Sequence, residues 1–156
     1  MGEIGFTTMT DERYAEGVLD LMWGLHDEDG SAGVDAGRFP ATIRHVLDHP
    51  ERGRVVLFLD GEALVGYALL IPYWSNEFGG PLVFVDELYV APAARGVGLG
   101  RRFLERLAVE RPFDAVAALL EVGRSNARAR RLYESLGFRE RSYATMALRF
   151  EPPGDG

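Results

Sequence analysis

The sequence predicts an α/β fold built around a mixed sheet, and three patterns carry the prediction. Residues 54–59 and 63–73 are apolar and β-branched on either side of Asp60-Gly61, a hairpin turn signal, so they form an antiparallel pair. Residues 83–90 make another β-branched and aromatic run, which breaks at Ala91-Pro92 because proline cannot donate to a ladder. Beyond a glycine-rich turn, Leu99, Phe103, Leu104 and Leu107 recur at helical spacing, and residues 115–122 return as a short apolar strand. A strand, a crossover helix and a second strand pair in the parallel sense.

The remaining elements follow in order. Residues 4–10 alternate weakly and predict a first strand. Thr10-Asp11-Glu12 offers a helix cap with acids in the first turn, and Tyr14, Val18, Leu21, Met22 and Leu25 continue at helical spacing. Residues 26–33 are polar, acidic and glycine-bearing and predict an exposed loop. A second helix is expected over 39–47, stopped by Pro50. His26, His45 and His49 are scattered, which suits surface positions better than a catalytic cluster. Residues 74–81 form a loop with two aromatics, Trp74 facing a pocket and Phe78 the core. Gly123-Arg124-Ser125 turns into a helix that Gly137 ends as the C′ glycine. Residues 138–142 and 143–150 are expected as two last strands, and 151–156 as a fraying Pro/Gly tail.

Composition bounds the function. At 156 residues the chain suits one domain, residues 1–150, with a sizeable core. It has no cysteine, so disulfides, thiolate metal sites and cysteine nucleophiles are excluded. No apolar run approaches the ~20 residues of a membrane span, and no signal-peptide pattern opens the chain, so a cytoplasmic protein without a membrane partner is expected. The net charge of -7 argues against nucleic acid. Residues 1–94 hold five arginines and sixteen acids, whereas residues 95–156 hold twelve arginines and eight acids. That split suits an anionic cofactor and a cationic acceptor on two sides of one site.

The glycine turn is the first motif. Arg95-Gly96-Val97-Gly98-Leu99-Gly100 opens a helix, where unpaired N–H groups and the positive end of the helix dipole favour phosphate or pyrophosphate. A dinucleotide fingerprint fails, because Gly96-x-Gly98 is followed by Arg101 and Gly98-x-Gly100 by Phe103. A Walker A loop fails because the chain has no lysine. What remains, Arg-x-x-Gly-x-Gly after Asp86-Glu87-Leu88-Tyr89-Val90-Ala91-Pro92, resembles the pyrophosphate loop of the GNAT superfamily of acyl-CoA-dependent N-acyltransferases. A second motif agrees. Asn126, Ala129, Leu132, Tyr133, Gly137 and Phe138 are similar to the last cofactor-binding helix of that family, Asn-x-x-Ala-x-x-Leu-Tyr-x-x-x-Gly-Phe. Asn126, Arg130 and Tyr133 share one helix face, while Arg128 and Arg131 suit a solvated one. The resemblance covers residues 55–150; the N-terminal third matches in element order only.

The resemblance implies a mostly antiparallel sheet whose central parallel strands splay after Val90, with acyl-CoA entering the cleft. Backbone groups of Leu88, Tyr89 and Val90 would hold the thioester and pantetheine arm. The turn residues Arg95, Gly96, Val97, Gly98, Leu99, Gly100 and Arg101 would hold the pyrophosphate, and Asn126 and Arg130 would complete the cofactor site. The implied reaction moves an acetyl or other short acyl group from CoA to a primary amine by direct attack, without a metal. Asp86 and Glu87 are the candidate bases for the ammonium proton; successive strand residues face opposite sides, so only one should face the cleft unless a bulge intervenes. Tyr133, with a reference pKa of ~10, is the candidate acid for the departing thiolate. A strand N–H such as that of Leu88 would stabilise the oxyanion.

For the acceptor, Asp27, Glu28 and Asp29 in one loop and Glu77 and Trp74 in another point to a small cationic amine, polyamine-like or aminoglycoside-like. The competing classes are a protein or peptide amine as acceptor, a non-catalytic acyl-CoA sensor, and an interaction domain with no ligand. A homodimer is compatible with the sequence.

Overall fold

The computed structural model describes residues 2–30, 33 and 35–150. Ser31, Ala32 and Val34 of the expected acidic loop, and the 151–156 tail, lie outside the described residues. Five strands form one sheet in the order β1-β2-β3-β4-β5: β1 (Ile4–Thr8), β2 (Arg54–Asp60), β3 (Ala63–Ser75), β4 (Gly80–Val90) and β5 (Ala117–Leu120). The first four pair antiparallel, and β5 pairs parallel to β4. The expected mixed sheet is present; among the described residues its single parallel pair, β4 and β5, is joined by a crossover that contains a helix.

Strict alternation in the central strands builds two cores, one on each face. Val55 and Leu57 of β2 and Tyr67 and Leu69 of β3 meet α1 (Ala15–Asp29) and α2 (Arg38–Asp48) through Val18, Met22, Ile43 and Val46. Their neighbours Phe58, Ala68 and Leu70 point the other way, onto Leu99, Phe103, Leu104 and Leu107 of α3 (Leu99–Glu110). Those four α3 residues are the helical stripe read from sequence, and all are buried. The Phe6 ring stands edge-on to Phe58 at 4.8 Å, and Phe58 lies 5.0 Å from Phe103. Such pairs add about 0.5–1.5 kcal/mol beyond their burial. Tyr133, Leu136 and Phe138, in or just after α4 (Ala127–Ser135), pack against the same core. Among the described residues no helix is long and apolar enough to cross a membrane.

Three expectations are corrected. Helix α1 runs on to Asp29 and ends at Gly30 in the left-handed conformation, φ 67°, so His26, Asp27, Glu28 and Asp29 form its last turn and not a loop. The acids gave a loop-like composition, but Asp and Glu do not break a helix; the glycine does. The parallel pair parts after Val85, opposite Leu120, and not after Val90. Finally, residues 138–150 form no strand. Their alternation carries β-propensity, but propensity makes a strand only against a partner edge, and here none is in place.

Candidate active site

The site is organised by an irregularity in β4. Leu69 pairs with Glu87 and Leu70 with Val85, so Asp86 is an extra residue with no partner on β3. This is a β-bulge, which reverses the facing of everything after it. Val85 and Leu88 therefore both face the α3 core, while Tyr89 faces α1. The bulge coincides with the point where β5 leaves β4. Val85 and Leu120 are the last parallel pair, so Asp86 and Glu121 are the next residues on the two diverging strands. From Asp86 onward, β4 is paired on the β3 side only.

The two carboxylates have different surroundings. Glu87 accepts a hydrogen bond of 2.7 Å from the Tyr67 hydroxyl. Tyr67 is fully buried, and its hydroxyl pKa is raised by burial and then by the Glu87 charge. Burial raises the Glu87 carboxyl; the Tyr67 bond opposes this, and the charges of Asp86 and Asp29 add to it. Loss of solvent around the carboxyl raises that of Asp86 too, with a further push from Glu121. No guanidinium offsets either group.

The glycine turn lies at the end of β4. Gly96 (φ 87°) and Gly98 (φ 77°) hold left-handed conformations that disfavour any side chain, and Gly98 caps α3. The Gly98 carbonyl accepts from Arg102 N at 3.0 Å, starting the helix. The N–H groups of Gly96, Val97, Gly98, Leu99, Gly100 and Arg101 find no acceptor among the described residues. A Cβ built at Gly96 or Gly98 meets nothing within 4 Å, so the space before these donors is open. Leu99 contributes only its N–H, since its side chain is buried.

Arg95 is engaged with protein groups. Its Nε donates to the Val90 carbonyl at 2.9 Å, and its Nη2 donates to both oxygens of Glu28, at 2.8 and 2.9 Å. The Tyr89 hydroxyl donates to Glu28 Oε1 at 2.9 Å. The Arg95 bond, foremost, holds the Glu28 carboxyl below its usual range. Arg95 thus ties the turn to the end of α1, and an anion at the turn would meet mainly backbone N–H groups.

Helix α4 packs beside the first turn of α3: Arg101 Nη2 donates to Ser135 Oγ at 2.6 Å, and a Cβ at Gly100 would lie 3.8 Å from Leu132. Asn126 caps α4, its Oδ1 accepting from Ala129 N at 3.1 Å, which leaves its Nδ2 as a donor. Arg130 Nη1 donates to Glu140 at 2.7 Å. The Tyr133 hydroxyl makes no hydrogen bond among the described residues, and burial raises its pKa, so it is protonated at neutral pH. Tyr133, Arg130 and Glu121 line one open groove of about 1250 Å³ along β5.

Trp74 and Glu77 sit elsewhere. Trp74 pairs with Pro81, five residues before Asp86, roughly 17 Å along β4 and away from the glycine turn. Its side chain is exposed, and Glu77 is bound by Arg141. The structure thus brings Glu28, Tyr89, Val90 and Arg95 together, and sets Asp86 beside Glu87, while Trp74 and Glu77 lie at the far end of the strand. Two residues absent from the sequence reading emerge. Tyr67 had a signal, a tyrosine whose hydroxyl needs a partner within an apolar run. Glu121 had none, because its place opposite Asp86 depends on strand register. Among the described residues no group of three or more His, Cys, Asp and Glu is placed to hold a metal ion.

Comparison with known proteins decides the family, since the Acetyltransferase (GNAT) family matches residues 18–138. The chain belongs to that family. An uncharacterized N-acetyltransferase of Archaeoglobus fulgidus is 38% identical over 101 residues, covering 62% of this chain and 67% of that one. The [ribosomal protein bS18]-alanine N-acetyltransferase of Escherichia coli K12 is 48% identical over 102 residues, with the same coverage of 62% and 67%. A possible acetyltransferase from Clostridium difficile 630 superposes with a TM-score of 0.82 at 16% identity, over 96% of this chain and 99% of that one. In this GNAT chain both recognised motifs lie inside the matched region or at its boundary: the turn is within it, and the α4 motif closes it at Phe138.

The raised Glu87 carboxyl gives a stability prediction. A folded-state pKa above the unfolded one means that the protonated form suits the fold, so stability falls as pH rises through the folded pKa. Glu87→Gln keeps an acceptor for Tyr67 and removes the buried charge. At pH 8 it should stabilise the protein by roughly 0.5–2 kcal/mol, about 2–4 °C in Tm per kcal/mol, with a smaller gain at pH 4. Thermal melts at the two pH values check this; a gain independent of pH contradicts it.

Proposed function

We propose that this protein transfers an acetyl group from acetyl-CoA to a cationic primary amine, by direct attack of the amine nitrogen on the thioester carbon. The observation that carries the reading is the pair of an exposed Asp86 and a half-buried Glu87 at the parting of β4 and β5, two carboxylates that no guanidinium neutralises. Their charges, with Asp29 and Glu121, reinforce one another, and a cation docked among them would relieve that repulsion. Glu28 and Glu77 take little part, because Arg95 and Arg141 already balance them.

The open turn fits the pyrophosphate of acyl-CoA: six N–H donors, space for an anion, and a helix dipole behind. Asn126 Nδ2 would meet the pantetheine arm. Asp86 receives the proton that the ammonium must lose before attack, directly or through water. Its raised pKa makes it a stronger base than an ordinary aspartate. Glu87, oriented by Tyr67, supplies negative charge on the α1 side. As the C–N bond forms and the C–S bond breaks, the acylated nitrogen sheds its extra proton to water, and Tyr133 gives its hydroxyl proton to sulfur and recovers one from solvent.

A protein α-amine is the second reading, favoured by the 48% identity to the ribosomal-protein alanine acetyltransferase. One assay separates the two. Purified protein receives acetyl-CoA with a polyamine, an acidic amino acid or an alanine-initiated peptide, and free thiol is followed at low and high salt. The proposal expects the highest kcat/KM for the polyamine, falling as salt rises. A best acceptor of net negative charge, indifferent to salt, rules it out, and a preference for the peptide selects the second reading.

A further inference from the structure

Strand β2 carries an arginine where its pattern calls for an apolar side chain. Alternation puts Arg54, Val56 and Phe58 on one face of the sheet, the face that packs on α3. Their cross-strand partners share that face: Phe6 and Thr8 of β1 lie opposite Phe58 and Val56, and Leu70 of β3 lies opposite Arg54. Helix α3 covers the Phe58 end with Phe103. Toward Arg54 the cover is incomplete, and a cavity of about 330 Å³ opens, lined by Thr8, Arg54, Val56, Leu70, Leu107 and Pro112 among others. The cavity sits at the C-terminal end of α3, and the glycine turn lies at the other end of this helix, which is about 18 Å long.

Arg54 is held in place, yet its charge is unbalanced. Its Nε donates to the Pro50 carbonyl at 3.2 Å, and its guanidinium carbon lies 4.1 Å from the centre of the Phe113 ring. Neither Nη group has an acceptor among the described residues, and Arg54 forms no ion pair among them. Arg106 lines the same cavity, but Glu110 already neutralises it at 2.6 Å. Arg54 is partly buried, and a covered charge is costly unless it meets a counter-charge. The cavity therefore holds one free positive charge beside an apolar floor.

The aromatic platform under Arg54 comes with backbone strain. Arg111 (φ 46°), Phe113 (φ 61°) and Asp114 (φ 56°) all hold left-handed conformations, and none is a glycine. Bulky side chains rarely adopt that region, and strain of this kind clusters at ligand sites. Here it turns the chain sharply after α3 and sets the Phe113 ring against the guanidinium.

We infer that this cavity is a binding site for a short aliphatic carboxylate, separate from the glycine turn. The carboxylate takes the Nη groups of Arg54, whose planar fork matches it, and the Thr8 hydroxyl. The hydrocarbon lies on Val56, Leu70 and Leu107. One negative charge balances the one free cation, whereas a phosphate dianion would bring a second charge toward Glu110. A volume of about 330 Å³ is at the small end for ligand pockets, which suits a chain of a few carbons.

Calorimetry and methyl NMR on the full chain, with butyrate, hexanoate and octanoate as probes, test this. At least one of these acids should bind saturably, shift the methyl resonances of Val56, Leu70 and Leu107, and stay bound when CoA is added in excess. Arg54→Gln should weaken binding by about tenfold or more, the usual loss when a hydrogen bond to a charged group is removed. Thr8→Val, a change at an exposed side chain, should weaken it less. Hexylamine, the cationic counterpart, should leave the three methyl signals unmoved. Absence of saturable binding by all three acids overturns the inference. So does unchanged affinity in folded Arg54→Gln, displacement by CoA, or the same methyl shifts with hexylamine. If Arg54→Gln does not fold, the parent's methyl shifts decide: shifts confined to Leu119 and Leu120, in the groove along β5, overturn the assignment.

Discussion

Tyr133→Phe should lower kcat by about 10²-fold or more, in line with the usual contribution of a general acid, and leave CoA affinity nearly unchanged. The substitution removes one oxygen and keeps the ring. That ring packs against the α3 core and lies 5.9 Å from Phe138, so the fold of α4 should survive. The hydroxyl bonds to no described residue, so its loss leaves no protein group unsatisfied. Burial raises its pKa, which keeps it protonated and able to donate throughout the neutral range. The informative measurement is the split between kcat and the calorimetric Kd for CoA. Equal turnover in variant and parent removes Tyr133 from the chemistry, and a matched loss in both quantities makes it a binding residue instead.

Gly98→Glu should abolish detectable CoA binding. Gly98 sits at φ 77°, where any side chain adds strain of order 1–3 kcal/mol, and it caps α3 at the centre of the free N–H groups. A glutamate there projects a negative charge into the space that a pyrophosphate would fill. Gly98→Ala separates the two causes, since it carries the strain without the charge and should weaken binding only moderately. Calorimetry on both variants, each shown to be folded by thermal melting, decides the matter. Unchanged CoA affinity in folded Gly98→Glu would refute the assignment of the turn.

Much of the local structure around this candidate site is legible in the sequence, for a local reason. The N–H groups of a glycine turn and the face shared by Arg130 and Tyr133 depend on residues within a few positions of one another. So do the α3 stripe, the Asp60-Gly61 hairpin and the left-handed Gly137 (φ 95°) after α4. Backbone geometry over a turn or two is dictated by side-chain size, glycine and proline, and these are written in order along the chain.

What the tertiary structure decided was register and partnership. The order of residues 82–90 cannot reveal that Asp86 is the unpaired residue of a bulge, because the bulge exists only relative to β3. Nor can it place Glu121 opposite Asp86, since that follows from pairing Val85 with Leu120 across a crossover of more than thirty positions. Glu28 looked like a free acid in a loop; the structure makes it the partner of Arg95, 67 residues away. The alternation of residues 138–150 was real, yet alternation specifies which side chains share a face and leaves open which edge receives them. A strand is completed by hydrogen bonds to another strand, so its sequence can state the need while only the assembled sheet supplies the partner.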